Sequence, residues 1–464
     1  FQLSPIFQAT GILSTIDGPY TACWAVACLA SFVALKFARP SAWILAGAAL
    51  GIGFLFKYTI LLLLPGILLF AVLARTRLAL GTHWRRHLFL GLVLMLGAFA
   101  PVVVWNQNNG WPTVAHLLGH LGLPGGDMPL AHVTSQNKGW NYNPLWTVNF
   151  IGSQFGMVGP LLALALCASL ARFRQRRNSA LPPAFPIERP LRALAARHSD
   201  AVLFLISCAA PILVFYFVVS FLAEPEGNWA MGAYVSLLAL AGWGASLGMA
   251  AFHEKVLAWR ARPLPRPREG VLRKKPETVV QVLWHFGVVF GVLTGLGMLR
   301  LDWIMAAGIP IAKAVAPVLG VKPEKISSGR AMNMFQADRM GRSAHHYAHD
   351  ILKRDTGLEP FYVAQHYGTS ATLAFYIPGR PTVLCSSSRM GGRRTPWDFW
   401  PDTDLNNPQL LGRPALLAGA QIEQWMPMFE RVVPVDSPNA QLDGENKKGR
   451  PAFLGYGYKG LPAP

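Results

Sequence analysis

One charge, Lys57, stands near the middle of an apolar stretch running from Ala42 to Ala74. An ionisable side chain in such surroundings is a functional-site candidate by default; the plain alternative is a lysine snorkelling to an interface. Asp17, in LSTIDGPY, precedes another apolar run. Its carboxylate could act as a base, an electrostatic partner or a substrate ligand. It could equally cap the helix that follows, as Pro19 two positions on favours. The turn AEPEGNW offers Glu224, Glu226, Asn228 and Trp229; such a Trp usually anchors at a membrane boundary. His116 and His120 are four apart, so a helix puts both on one face, a spacing that suits two ligands of one divalent metal ion. No third ligand stands beside them, His132 being the nearest candidate, and an interfacial amphipathic helix explains the pair as well. His345, His346, His349 and His366 read as surface histidines. No G-x-S-x-G or phosphate-loop pattern is present.

The elements that must position these groups are set by composition. Of 464 residues 52% are hydrophobic and 14% charged, and mean hydropathy is +0.32. This is a polytopic α-helical membrane protein. A net charge of +19 raises nucleic acid as a partner, but the arginines gather in alternate gaps between apolar runs, as membrane orientation requires, so nucleic-acid binding is excluded. The five cysteines show neither disulfide nor metal-thiolate spacing.

As one helix, Ala42–Ala74 would be roughly 50 Å long, against a bilayer core of about 30 Å. Basic residues flank it on both sides: Lys36 and Arg39 before, Arg75, Arg77, Arg85 and Arg86 after. Short basic loops stay in the cytoplasm, so two short spans meet at Lys57 near the outer face. The remaining runs are Gly18–Leu35, Leu88–Trp105, Leu145–Ala171, Ala201–Leu222, Ala230–Phe252 and Thr278–Leu299. That makes about eight spans, with Asp17, Lys57, the 106–144 loop and the AEPEGNW turn outside. The basic stretches 172–200 and 253–277 lie inside. The division expected is a membrane domain over 1–300 and a soluble α/β domain over 301–464, extracytoplasmic by parity. In the latter, SAHHYAHDILKRDTG predicts a helix closed by Gly357. FYVAQ, TSATLAFY and TVLCSS predict a β-α-β unit, and ALLAG and ERVVPVD further strands.

The order STIDGPY, GIGFLFKYTILLLLPG, VVVWNQNNGW, EGNWAMGAY resembles the bacterial glycosyltransferase family 39 proteins. These belong to the GT-C membrane glycosyltransferases, with the protein O-mannosyltransferases and the lipid A aminoarabinose transferase. Thr15, Asp17 and Pro19 match the first motif; Lys57, Tyr58, Thr59, Pro65 and Gly66 the second; Trp105 and Asn106 the third; Asn228 and Trp229 the fourth. The resemblance implies inverting transfer of a sugar from a polyprenyl-phosphate carrier to a lipid, glycan or protein acceptor. The site would lie on the periplasmic side of the cell inner membrane. Asp17 and Lys57 would be catalytic, Lys57 stabilising the departing phosphate. Trp105, Asn106, His116, His120, Glu226, Asn228 and Trp229 would bind substrate. Two departures stand out. The family's usual His in the third loop is replaced, Asn109 preceding Gly110 and Trp111, which weakens any metal role there. The family's first span and acidic outer loop precede the segment equivalent to Phe1, so this piece is expected to lack the principal base and to transfer little by itself.

Two other classes fit the composition. A flippase or transporter for a lipid-linked sugar would need intramembrane charges or broken helices in related halves; apart from Lys57 the spans carry only His285. A non-catalytic membrane scaffold would use the C-terminal domain to hold a partner.

Overall fold

The computed structural model describes residues 1–120, 125–127, 142–163, 188–243, 245, 276–300, 310–311, 313–315, 337–435 and 451–462. They form two compact units. One comprises Phe1–Trp111 with Asn137–Leu299, the other Pro112–Gln136 with Arg300–Pro464. The basic stretches 172–187 and 253–275, and His132, lie outside the described residues.

The first unit is helical: α1 Pro5–Ile12, α2 Asp17–Lys36, α3 Ala42–Phe56, α4 Leu63–Leu73, α5 Trp84–Gly97, α6 Ala100–Asn109, α8 Pro144–Val158 and α9 Glu188–Val219, then a helical stretch over 231–243 and the helix Pro276–Leu299. Between α6 and α8, α7 (Pro112–His120) belongs to the second unit. Asp17–Lys36, Trp84–Asn109, Ser199–Val219 and Gln281–Leu299 are each long and apolar enough to cross a membrane, while Ala42–Phe56 and Tyr58–Leu73 are shorter apolar helices. The stretch read as one span over Leu145–Ala171 is instead interrupted. Its helix stops at Val158, and Gly159 takes a φ of 77° that only glycine adopts readily.

The apolar run around Lys57 folds back on itself. α3 ends as the Lys57 amide bonds to the Gly53 carbonyl, and Lys57 itself is extended, with φ −155° and ψ 119°. A 3₁₀ turn, Tyr58–Leu62, then leads into α4. Gly53 makes room for this break, because a Cβ there would lie 2.1 Å from Ile60 Cδ1 and 2.9 Å from Cys23 Cβ. Both flanks of the run return to one end. The Ala79 amide bonds to Leu35 O and the Ala38 amide to Ala79 O. Lys36 also donates to the Arg77 carbonyl. Asp200, at the start of the apolar part of α9, completes this end: it pairs with Lys36 at 2.8 Å and with Arg77 at 2.5 Å. Asp17 and Lys57 lie at the other end of α2 and α3.

Lipid provides no hydrophobic drive between helices, so close packing of small residues carries the association. A Cβ on Gly47 would fall 2.0 Å from Gly91 O, and one on Gly91 2.3 Å from Trp43 O, so α3 and α5 cross in backbone contact. Gly66 does the same for α4 on α9, its Cβ position being 2.5 Å from Ser207 O. Phe32, Phe70 and Phe204 add a ring cluster that ties α2, α4 and α9 together.

The second unit contains a mixed five-stranded sheet, in the order β2 (Val383–Cys385), β1 (Phe361–Ala364), β3 (Ala415–Ala418), β5 (Ala452–Tyr458), β4 (Phe429–Pro434). β1 pairs in parallel with β2 and β3, and the helix Tyr367–Tyr376 connects β1 to β2, forming the expected β-α-β unit. β5 is antiparallel to β3 and β4. Alternation along the strands builds two cores. Tyr362, Ala364, Leu416 and Leu454 face the helical segment that contains Met340, Ala344 and Leu352. Phe361, Val363, Leu417 and Phe453 face Trp425, Met428 and Leu410. The helix predicted from SAHHYAHDILKRDTG runs Ala337–His346, takes a π-helical turn over Tyr347–Leu352, and ends at Thr356 with Gly357 at φ 69°.

Candidate active site

Asp17 occupies the first turn of α2, where a carboxylate complements the free amides of the helix start. It does not act as the cap; Ile16 holds that position without a side-chain bond. Its two oxygens point instead at two distant residues. Lys57 Nζ donates to Oδ1 at 2.8 Å and Asn228 Nδ2 to Oδ2 at 3.3 Å. The pair is largely shielded, with 15% of the Lys57 side chain and 11% of the Asp17 side chain accessible. The helix break is what makes the contact: an extended backbone at residue 57 turns the side chain back toward the start of α2.

Aromatic and hydroxyl groups surround the pair. The Lys57 ammonium lies 5.5 Å from the centre of the Tyr20 ring, within cation–π range. Thr59 donates to the Tyr20 hydroxyl at 3.3 Å. Tyr216, on α9, neighbours Thr59, and its ring is 5.6 Å from that of Trp229. A glycine closes the packing: a Cβ on Gly232 would meet Trp24 at 2.6 Å and the Tyr20 hydroxyl at 2.7 Å.

Asn228 and Trp229 therefore stand beside the pair, on the short 3₁₀ turn Gly227–Ala230. Glu226 precedes this turn, is exposed, and accepts the Trp229 amide on its backbone oxygen. Glu224 accepts from Asn149 at 3.0 Å. Trp105 and Asn106 lie on α6 beyond Phe99, whose ring is 3.9 Å from that of Phe54, so they belong to the Lys57 end of the bundle. Trp105 is exposed, whereas Asn106 is buried and its amide donates to Val102 O.

His116 lies in the other unit, on α7. Its ring nitrogens lie 2.9 and 2.8 Å from Arg393 Nη1, and Nδ1 lies 3.3 Å from Asp127 Oδ1. A guanidinium against the imidazole opposes a bound cation. The side chain of His120 lies outside the described residues. Among the described residues no group of three or more His, Cys, Asp or Glu side chains converges as a metal site.

Sequence reasoning gave no role to Tyr20, Thr59 or Tyr216. Tyr20 was within reach, being three residues after Asp17 and so on the same helical face. Thr59 lies inside a matched motif. Tyr216 had no signal beyond a phenol in an apolar run.

Chemically, the arrangement is a fixed cation. Asp17 and Asn228 restrain the ammonium, while Lys57 has no second hydrogen-bond acceptor among the described residues. An ammonium carries three donors, so two remain for an anionic ligand.

Residues 1–105 match the family model of dolichyl-phosphate-mannose-protein mannosyltransferases. No curated protein and no solved structure matches the chain. The matched segment includes Asp17, Tyr20, Lys57 and Thr59, and the match supports the chain's membership of the GT-C glycosyltransferase family.

Proposed function

We propose that the chain serves the transfer of a sugar from a polyprenyl-phosphate carrier to a lipid, glycan or protein acceptor, with inversion at the anomeric carbon, by holding the carrier phosphate. In this reading the acceptor hydroxyl attacks the anomeric carbon, losing its proton to a general base, as the bond from that carbon to the carrier phosphate breaks. Negative charge develops on the departing phosphate, and a preorganised cation at that point lowers the barrier. Lys57 is that cation. Asp17 and Asn228 hold it in place, and Trp229 offers a flat face to the sugar ring. The single observation that carries the reading is the 2.8 Å pairing of Lys57 with Asp17 at a helix break inside an apolar bundle.

Charge supports an assignment of the membrane side. Lys36 and Arg77 gather at the opposite end of the bundle, and short basic loops favour the cytoplasm. The Asp17–Lys57 end is then extracytoplasmic, at the periplasmic face of the cell inner membrane. Helix Pro276–Leu299 runs toward the same end: Leu3 lies against Gly291 and Gln8 against Gly295, in step with α1 as it leads to Asp17. This supports an extracytoplasmic C-terminal sheet unit.

The test is transfer of labelled sugar from a polyprenyl-phosphate donor in vesicles holding the full-length protein. Loss of product in Lys57→Ala at equal folded amount supports the reading. Flux of the lipid-linked sugar without product formation supports a flippase instead.

A further inference from the structure

A second cleft lies in the sheet unit, away from the Asp17–Lys57 pair in sequence. It opens at the carboxyl end of β2, the face of a parallel sheet where ligands bind in open α/β folds. Its volume is about 410 Å³, within the range of small-molecule sites. Cys385 forms part of its lining, with Trp397, Trp400, Arg389, Asp404 and Asn406.

The two indoles form a rigid corner. Trp397 is fixed by its Nε1, which donates to Val383 O at 2.8 Å. Trp400 lies 5.2 Å away, its ring tilted by 50°. Thr403 stitches the loop together, donating to the carbonyls of Trp397 and Trp400 at 2.6 and 2.9 Å. Yet Trp400 is 52% exposed. A large ring held in place and left open to solvent is unusual for a soluble surface.

The polar groups narrow the ligand class. Asp398 is satisfied internally, accepting from Thr395 and Ser388. Asp404 uses Oδ1 for Asn406, leaving Oδ2 open, and the Arg389 guanidinium has no hydrogen-bond partner among the described residues. A carboxylate, an amide and a guanidinium side by side suit hydroxyl groups, which donate and accept together. The two carboxylates against one guanidinium disfavour phosphates and nucleotides. Polar and charged side chains make up about half of the lining, which disfavours an acyl chain.

We propose that this cleft binds an uncharged saccharide, with pyranose faces on Trp397 and Trp400 and hydroxyls on Arg389, Asp404 and Asn406. That the saccharide is part of the acceptor rests on the transferase reading; the binding itself does not.

The experiment is saturation-transfer NMR and calorimetry on the full chain in detergent micelles, with chitotriose, cellotriose and mannotriose as probes. At least one binds, Trp400→Ala weakens it tenfold or more, Asp404→Asn weakens it several-fold, and Lys57→Ala leaves it unchanged. Trp400 is exposed and Asn preserves the acceptor that Asn406 uses, so both variants keep the fold, as circular dichroism checks. Failure of all three saccharides to bind overturns the proposal, as does equal binding by wild type, Trp400→Ala and Asp404→Asn. Binding that persists in a protein without transfer activity separates this proposal from the transferase reading.

Discussion

Asp17 and Lys57, 40 residues apart in the chain, meet at 2.8 Å, each supplied by a helix end and neither side chain used to cap its own helix. Removing one partner of a shielded ion pair strands the other and costs about 3–5 kcal/mol. Asp17→Ala and Lys57→Ala each lower stability by that order, while the double variant loses less than the sum. Thermal melts of the four proteins in detergent measure the coupling, and strict additivity would show that the pair is not formed.

The α3–α5 crossing depends on a missing side chain. Gly47→Leu inserts four carbons where even a Cβ would stand 2.0 Å from a backbone oxygen. The helices must separate, at a cost of about 1–3 kcal/mol or more. Gly97→Leu is the control, since nothing lies within 4 Å of a Cβ there. Melting temperature should fall for the first and hold for the second.

At the other end of the bundle, Asp200 answers two cations, Lys36 and Arg77. Asp200→Asn leaves both without their countercharge, so folded yield falls. Turnover per folded molecule stays at the wild-type value, because that end takes no part in the chemistry. Fluorescence-detected size exclusion beside the transfer assay separates the two effects.

Alkali should loosen the sheet unit. Burial, then Glu359, pushes the Tyr362 phenol up to about 12, and burial, then Asp404, pushes Tyr458 to about 12, from an ordinary 10. The folded state resists ionisation that the unfolded chain permits. The stabilisation is therefore complete below pH 10 and is lost as pH rises toward 12. Tyr362→Phe removes one such group and should reduce the alkaline loss, read from melting temperatures on either side of pH 10.

What the sequence disclosed follows from where the signals were strong. Lys57 was legible because a lone charge in an apolar run has few explanations, and the flanking arginines marked the hairpin around it. The β-α-β unit was legible because short runs of aromatic and β-branched residues bracket a helical one. The roles of Tyr20, Thr59 and Tyr216 were hidden because neutral side chains in apolar segments look like packing. β5 was hidden because AFLGYGY carries two glycines, one of them at φ 62°, which reads as a turn. The end of α8 at Val158 was masked by the hydrophobicity that continues past Gly159.

The central claim is that Lys57 is the cation that receives the departing phosphate. The most direct measurement is the single-turnover rate of sugar transfer from a polyprenyl-phosphate donor, comparing wild type, Lys57→Arg and Lys57→Ala at matched folded amount in vesicles. A preorganised charge of this kind is worth about 10²–10³ in rate. The account predicts a loss of that order for Lys57→Ala and a smaller one for Lys57→Arg, which keeps the charge but not its geometry. Transfer by Lys57→Ala at the wild-type rate would contradict it.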